Sequence, residues 1–266
     1  MAMIGPGRPE RQAPSAAGSW SGSAVLAPGL VLYAGPGGTA ADHAHHAIQM
    51  FWALDGQLEL DVGGQAVTTT SALIPAGQRH GVRAVTGRIV LALLEPQGPR
   101  GQALARRVAG AGPGAVASAG PVPPPDGDLG PEALTAWFDG ALARLGWHEE
   151  PTAQSRHVQR ALDYVDANLD GMPRLADAAA AAHVSPSRLT HSFTEETGIP
   201  FRRYVLWARL RRAVQEVGGG ANLTEAAVRA GFSDSAHLSR TFRANFGLPP
   251  SLLAAGIAFA GTFDRP

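Results

Sequence analysis

The sequence contains no cysteine, which excludes a disulfide framework, a thiolate metal site and a cysteine nucleophile. Lysine is absent too, since all 22 basic residues are arginine, and we attribute this to coding bias rather than to a binding function. No run of about 18 apolar residues that could span a membrane is present, and no basic start leads into the apolar core of a signal peptide. We therefore expect a cytoplasmic protein with no membrane partner.

Charge of either sign is scarce overall, at 17% of residues, and the net charge is zero. The two halves differ, however: residues 1–152 carry 9 arginines against 12 acidic residues, whereas residues 153–258 carry 12 arginines against 9. A basic C-terminal half favours anionic partners there, and nucleic acid is the first candidate.

The length of 266 residues and the changes in texture along the chain predict an α+β protein of two domains. Residues 1–23 are rich in glycine, proline, alanine and serine and predict a disordered arm. Residues 24–109 alternate apolar and polar side chains in short runs separated by Asp55-Gly56 and Gly63-Gly64. This pattern is typical of strands and hairpin turns, and we interpret it as a β jelly roll.

Residues 110–152 combine a Pro/Gly-rich linker with one amphipathic helix. An apolar stripe at helical spacing runs along that helix and must be buried. The stripe consists of Leu134, Trp137, Phe138, Leu142 and Leu145. Its own β-domain and the same helix of a second copy, in a homodimer, are the two partners that the sequence leaves open.

The C-terminal segment contains an internal repeat. Residues from Leu175 onwards match residues from Leu223 onwards at an offset of 48, and after one added residue 189–200 match 238–249 at an offset of 49. Each copy predicts a helix, a tight break and a second helix. Residues 200–217 predict a helix that connects the copies, a helix around residues 158–169 precedes them, and a last helix is expected near residues 252–260.

The second helix of each copy begins with a capping residue. Ser185 before Pro186 predicts one N-cap, and Ser233 before Asp234 predicts the other. Gly231 occupies the tight break of the second copy, where positive φ is needed, whereas the first copy has His183 there.

The run Gly231-Phe232-Ser233-Asp234-x-x-x-Leu238-x-Arg240-x-Phe242, followed by Gly247-x-Pro249, resembles the signature of the AraC/XylS family of transcription regulators. The resemblance covers about 100 residues and implies that residues 153–258 form an all-α DNA-binding domain with two helix-turn-helix units, followed by a tail at 259–266. The predicted connecting helix is about 27 Å long, close to one turn of duplex DNA at roughly 34 Å, so both recognition helices could enter successive major grooves.

The resemblance also implies which side chains face DNA. Base contacts are expected from Ser187, Thr190, His191, Ser235, Ala236, Ser239 and Arg240. Arg240 is the foremost of these, because arginine can donate two hydrogen bonds to guanine. Phosphate contacts are expected from Arg188, Arg202, Arg203, Arg211, Arg212 and Arg243.

The N-terminal half resembles the two cupin motifs, with Gly37-x5-His43-x-His45-x3-Gln49-x6-Gly56 and then Pro75-x-Gly77-x2-His80. Gln49 stands where metal-binding cupins usually have glutamate. On a strand, His43 and His45 would point to the same face, and His80 from a neighbouring strand could join them. The cluster predicts either an effector pocket or inherited polar core, which needs no cofactor, or a site for a divalent metal.

We interpret the chain as a sequence-specific DNA-binding transcription regulator, not an enzyme, controlled by a small-molecule effector in its cupin-like domain. Double-stranded DNA is its predicted partner, and RNA polymerase and a second copy of the chain are further partners that the resemblance leaves open. The rival hypotheses are a metal-dependent cupin enzyme with a fused helical domain and a DNA-binding protein whose β-domain serves only dimerisation.

Overall fold

The computed structural model describes residues 20–108, 118–120, 122–123, 130–147 and 154–261. Residues 1–19 of the predicted arm and most of the predicted linker lie outside the described residues. The arm was predicted to end at residue 23, but Trp20 is already buried and the first strand begins at Gly22. The β-domain therefore begins a few residues earlier than predicted.

The N-terminal part forms nine strands within the described residues. They are β1 (Gly22–Ala27), β2 (Leu30–Pro36), β3 (Ala40–His43), β4 (Ile48–Ala53), β5 (Leu58–Val62), β6 (Gln65–Thr69), β7 (Ser71–Ile74), β8 (His80–Val85) and β9 (Arg88–Leu94). One sheet has the order β1-β2-β9-β4-β7 and the other the order β3-β8-β5-β6. Alternating side chains, such as Leu58, Leu60 and Val62, fill the space between the two sheets, so the predicted cupin-like β-domain is confirmed.

Two helices, α1 (Pro99–Val108) and α2 (Pro131–Arg144), cover the outer face of the larger sheet. The apolar stripe of α2 is buried there, since Leu134, Phe138 and Leu142 belong to one core cluster with strand residues such as Leu32. The stripe therefore packs on its own β-domain and is not free to pair with a second copy of the helix.

The C-terminal part is helical, as the repeat predicts. Its helices are α3 (Arg156–Ala167), α4 (Leu175–Ala181), α5 (Pro186–Thr197), α6 (Phe201–Gly218), α7 (Leu223–Arg229), α8 (Ser235–Phe246) and α9 (Ser251–Gly256). The two copies have the same dimensions, because α4 and α7 are 7 residues long and α5 and α8 are 12. Each unit has its own apolar core, and α6 contributes to both.

The break between the helices of each unit requires a left-handed residue. Gly231 has a φ of 77° in the second unit, and His183 adopts a φ of 57° in the first, the one positive-φ residue other than glycine in the described chain. The Ser185 cap is confirmed, because its side chain accepts from Arg188 N at 3.2 Å. The Ser233 cap is wrong: Asp234 is the N-cap and accepts from His237 N at 2.6 Å, since its carboxylate is the better acceptor near a helix N-terminus.

The predicted last helix stops early. Helix α9 ends at Gly256, and residues Ile257–Gly261 form a strand, β10, that pairs in parallel with β1. The C-terminal domain thus adds a strand to the larger sheet of the N-terminal domain. This contact depends on a partner more than 200 residues away in the chain, which local patterns do not reveal.

Candidate functional site

The two second helices of the repeats, α5 and α8, present the side chains predicted to face DNA. Ser187, Thr190 and His191 are exposed on α5. On α8, Ala236 and Arg240 are exposed, while Ser235 and Ser239 are half-buried. Thr190 Oγ1 donates to Pro186 O at 2.8 Å, so towards DNA this hydroxyl can only accept a hydrogen bond. Base contacts by these residues stay a prediction.

The arginines predicted to contact phosphates divide into two groups. Arg188, Arg202, Arg203 and Arg243 are exposed and available. Arg211 has a different role, because its guanidinium lies between the domains and pairs with Glu95 Oε1 at 2.7 Å and Asp166 Oδ1 at 2.5 Å. Arg212 pairs with Glu216, one turn further along α6, at 2.9 Å.

The predicted histidine cluster exists in the β-domain. His43, His45 and His80 are buried, and each offers a ring nitrogen within 4.8 Å of those of the others. His43 and His80 are paired neighbours on β3 and β8. His45 is not on the strand as predicted, because β3 ends at His43, and His45 is buried in the irregular connection between β3 and β4.

The protons of the three imidazoles are fixed by backbone carbonyls. Nδ1 of His43, His45 and His80 donates to Ala41 O, Ala47 O and Gln78 O at 2.8, 3.0 and 2.9 Å respectively. Because a carbonyl only accepts, each Nδ1 carries the proton and each Nε2 keeps its lone pair.

Gln49 completes the cluster with another acceptor. Gln49 Oε1 lies 2.7 Å from His45 Nε2 and 3.1 Å from His80 Nε2, so several lone pairs converge with no proton between them. Burial and the neighbouring rings lower the pKa of His45 to about 3, and burial lowers the pKa of His80 to about 4, which keeps both neutral near pH 7. Such a set fits a divalent first-row metal, or a Gln49 amide turned so that its NH₂ faces the rings.

The second helix-turn-helix unit closes over this cluster. The ring of Phe246, at the end of α8, lies 5.7 Å from that of His45, and Trp207 of α6 lies 6.2 Å from it. Ala41 N donates to Gly247 O at 2.9 Å, which joins the end of α8 to β3 by a backbone hydrogen bond. The cluster therefore sits at the boundary of the two domains.

A buried polar network ties the same surfaces together. Glu95 Oε1 accepts from Trp207 Nε1 at 2.9 Å and from Arg211, while Glu95 Oε2 accepts from Gln97 Nε2 at 3.0 Å. Gln97 Oε1 in turn accepts from His46 Nε2 at 2.9 Å. Sequence reasoning missed Glu95, Gln97, His46 and Trp207, and the one signal available was a lone glutamate at the end of an apolar strand.

Among the helices in the described part of the chain, none has an apolar stretch long enough to cross a bilayer.

Comparison with known proteins gives matches to both halves. A helix-turn-helix domain model matches residues 178–255, and a cupin domain model matches residues 30–94. The transcriptional activator RhrA of Rhizobium meliloti (strain 1021) is 34% identical over 91 residues, which are 33% of this chain and 29% of that protein. The matched part thus spans less than a third of that relative.

The whole fold resembles ToxT of Vibrio cholerae O395. One ToxT structure superposes with a TM-score of 0.54 at 13% identity, over 86% of this chain and 100% of ToxT. Another, bound to (E)-4-(8-methylnaphthalen-1-yl)but-3-enoic acid, gives a TM-score of 0.53 at 12% identity, over 81% of this chain and 94% of ToxT. Both domain matches and this shared fold agree with the motifs of the sequence, so the chain combines an AraC-type helix-turn-helix domain with a cupin domain.

Proposed function

We propose that this chain regulates transcription by binding duplex DNA with α5 and α8. The observation that carries the proposal is the pair of capped, 12-residue helices held on one 18-residue helix, α6. A helix of 18 residues is about 27 Å long, which suits recognition helices in successive major grooves. Arg240 would read a guanine, and Arg188, Arg202, Arg203 and Arg243 would contact phosphates.

The DNA proposal is tested by selecting bound duplexes from a random pool and then comparing two arginine variants on the best site. Arg240→Ala is expected to lower the ratio of cognate to random affinity by roughly tenfold or more, because a bidentate guanine contact provides about 1–3 kcal/mol of discrimination. The matched control is Arg243→Ala, at an exposed arginine on the same helix. It should weaken the affinities for the cognate and the random duplex by a similar factor, and it should make affinity less dependent on salt concentration. Equal loss on both duplexes in Arg240→Ala would rule out base readout by Arg240.

Regulation is proposed to act through the contact between the domains. Glu95, Arg211 and Gly247 join the β-domain to the helices that carry the recognition surface. An effector that binds one arrangement of these surfaces better than another would shift the presentation of α8 to DNA. The ToxT structure with its bound butenoic acid derivative supports a small-molecule effector here. A cytoplasmic location, RNA polymerase as a partner and a homodimer belong to the same proposal.

The enzyme alternative has the histidine cluster in its favour, but Phe246 and Trp207 pack against the ring of His45, which is only 5% exposed. We infer that the cluster serves structure or sensing rather than turnover. Three imidazole nitrogens and an amide oxygen would hold a divalent metal, which would supply a fixed positive charge there.

The metal proposal is tested by titrating the chelator-treated protein with Co²⁺. Gln49→Glu is expected to tighten Co²⁺ binding by about tenfold or more, because the fourth ligand gains a negative charge. Gln57→Glu adds the same charge at an exposed hairpin residue and should leave affinity unchanged. Failure of both the wild type and Gln49→Glu to bind Co²⁺ would leave the cluster as a polar core.

A further inference from the structure

A cavity of about 140 Å³ lies between the inner face of the larger sheet and the C-terminal domain. Aromatic rings from both domains line it, among them Tyr33 from β2 and Phe242 and Phe246 from α8. An apolar cavity of about 150 Å³ is enough to hold a benzene molecule. The cavity is therefore large enough for a ligand of about one ring, and such a ligand would contact both domains.

Positive charge in the cavity is already neutralised. Arg211 is the one permanently charged cation among the described residues that line the cavity. Its guanidinium faces two carboxylates, those of Glu95 and Asp166, at 2.7 and 2.5 Å. In the metal-free protein, a ligand carboxylate would lose its hydration and meet a local excess of negative charge, since the described side chains that line the cavity include no second cation to compensate.

Uncharged polar groups lie at the other end of the cavity. His43 and Gln49 both line it and offer an imidazole and an amide. His43 Nδ1 is engaged with Ala41 O, so Nε2 is the atom that can accept a hydrogen bond from a ligand. One hydroxyl or amide on an otherwise apolar molecule would match this end.

We propose that the cavity binds a neutral, mostly apolar molecule of about one aromatic ring with a single polar group, and that it discriminates against carboxylic acids. The inference rests on the proposed function for its regulatory meaning, since this ligand would be the effector. Its body would touch Phe242 and Phe246 on the inner side of α8, so it would stabilise the docked position of the second helix-turn-helix unit rather than the first.

The test compares benzyl alcohol with benzoate, probes of similar size that differ in charge at pH 7.5, by calorimetry or ligand-observed NMR on the chelator-treated full chain without DNA. We expect wild-type protein to bind benzyl alcohol and to bind benzoate at least roughly tenfold more weakly, because a charged group needs a free partner. Ala24→Leu, which extends a lining side chain into the cavity, should abolish benzyl alcohol binding.

A variant that is expected to bind benzoate more tightly provides a more specific test than a variant that loses binding. Glu95→Gln keeps an acceptor for Trp207 Nε1 but removes one of the two carboxylates at Arg211, so benzoate should gain roughly tenfold in affinity. Asp139→Asn removes the charge of an exposed carboxylate paired with Arg100. It should leave the affinities for benzyl alcohol and for benzoate unchanged.

Benzoate binding as tight as that of benzyl alcohol in wild type, or no binding of benzyl alcohol, would overturn the inference. Binding of duplex DNA is measured separately on the same protein. Absence of sequence-specific DNA binding would contradict the proposed function, whatever the result with the two probes. Failure of the cavity inference and failure of the proposed function are therefore distinguishable.

Discussion

Replacing Gly247 by alanine is expected to undock the second helix-turn-helix unit from the β-domain, whereas the same change at Gly198 is not. Both glycines end a recognition helix in the left-handed region, with φ of 68° and 78°. A Cβ at Gly247 would overlap Ala41 O and lie 2.8 Å from His43 Nδ1, but a Cβ at Gly198 meets nothing within 4 Å. Both variants carry the backbone strain of about 1 kcal/mol or more, and only Gly247→Ala adds the clash between the domains.

Hydrogen–deuterium exchange measures this difference. In Gly247→Ala, the peptides containing Ala41 and Trp207 should lose protection, because the bond from Ala41 N to Gly247 O and the packing around Trp207 are lost together. In Gly198→Ala these peptides should keep wild-type protection. Equal protection in both variants would show that the C-cap of α8 does not hold the domains together.

Glu95→Ala is expected to lower the free energy of unfolding by about 3–5 kcal/mol, the range for removing one partner of a buried ion pair. The change leaves the Trp207 indole N–H without its acceptor and Arg211, whose side chain is only 20% exposed, with one carboxylate. Asp139→Ala removes a half-exposed carboxylate from the Arg100 pair and should change stability by less than about 1 kcal/mol.

Urea unfolding followed by tryptophan fluorescence measures the free energy of unfolding of both variants. A loss in Glu95→Ala no larger than in Asp139→Ala would mean that the network is too well hydrated to hold the domains. Adding Arg211→Met to Glu95→Ala should recover part of the stability, because the stranded charge is then removed as well.

Local patterns were sufficient for the repeated part of the molecule. The two copies, their helix lengths and the left-handed positions at His183 and Gly231 depend on residues within about 25 positions of one another. The one local error, Ser233 for Asp234, arose because both residues can cap a helix and lie side by side. The convergence of His43, His45 and His80 followed from motif spacing, although His45 lies in the connection between β3 and β4 rather than on a strand.

The contact between the domains was beyond such reasoning. Glu95 lies 112 residues from Trp207 and 116 from Arg211, and no periodicity links them. The phosphate contact expected of Arg211 came from the family resemblance, which carries no information on its ion pair with Glu95. Strand β10 is a short apolar segment, Ile257–Gly261, whose residues do not by themselves distinguish a strand from a helix, and its pairing with β1 makes it a strand.

Hydroxyl-radical footprinting of the full chain on its selected duplex tests the central claim most directly. Because α6 holds two recognition helices, we predict two protected segments on one face of the duplex, centred about 10 base pairs apart. Substitutions on α8 alone should remove the protection of one segment and leave the other protected. A single protected segment that α8 substitutions leave intact, or protection with no preference for sequence, would contradict the account.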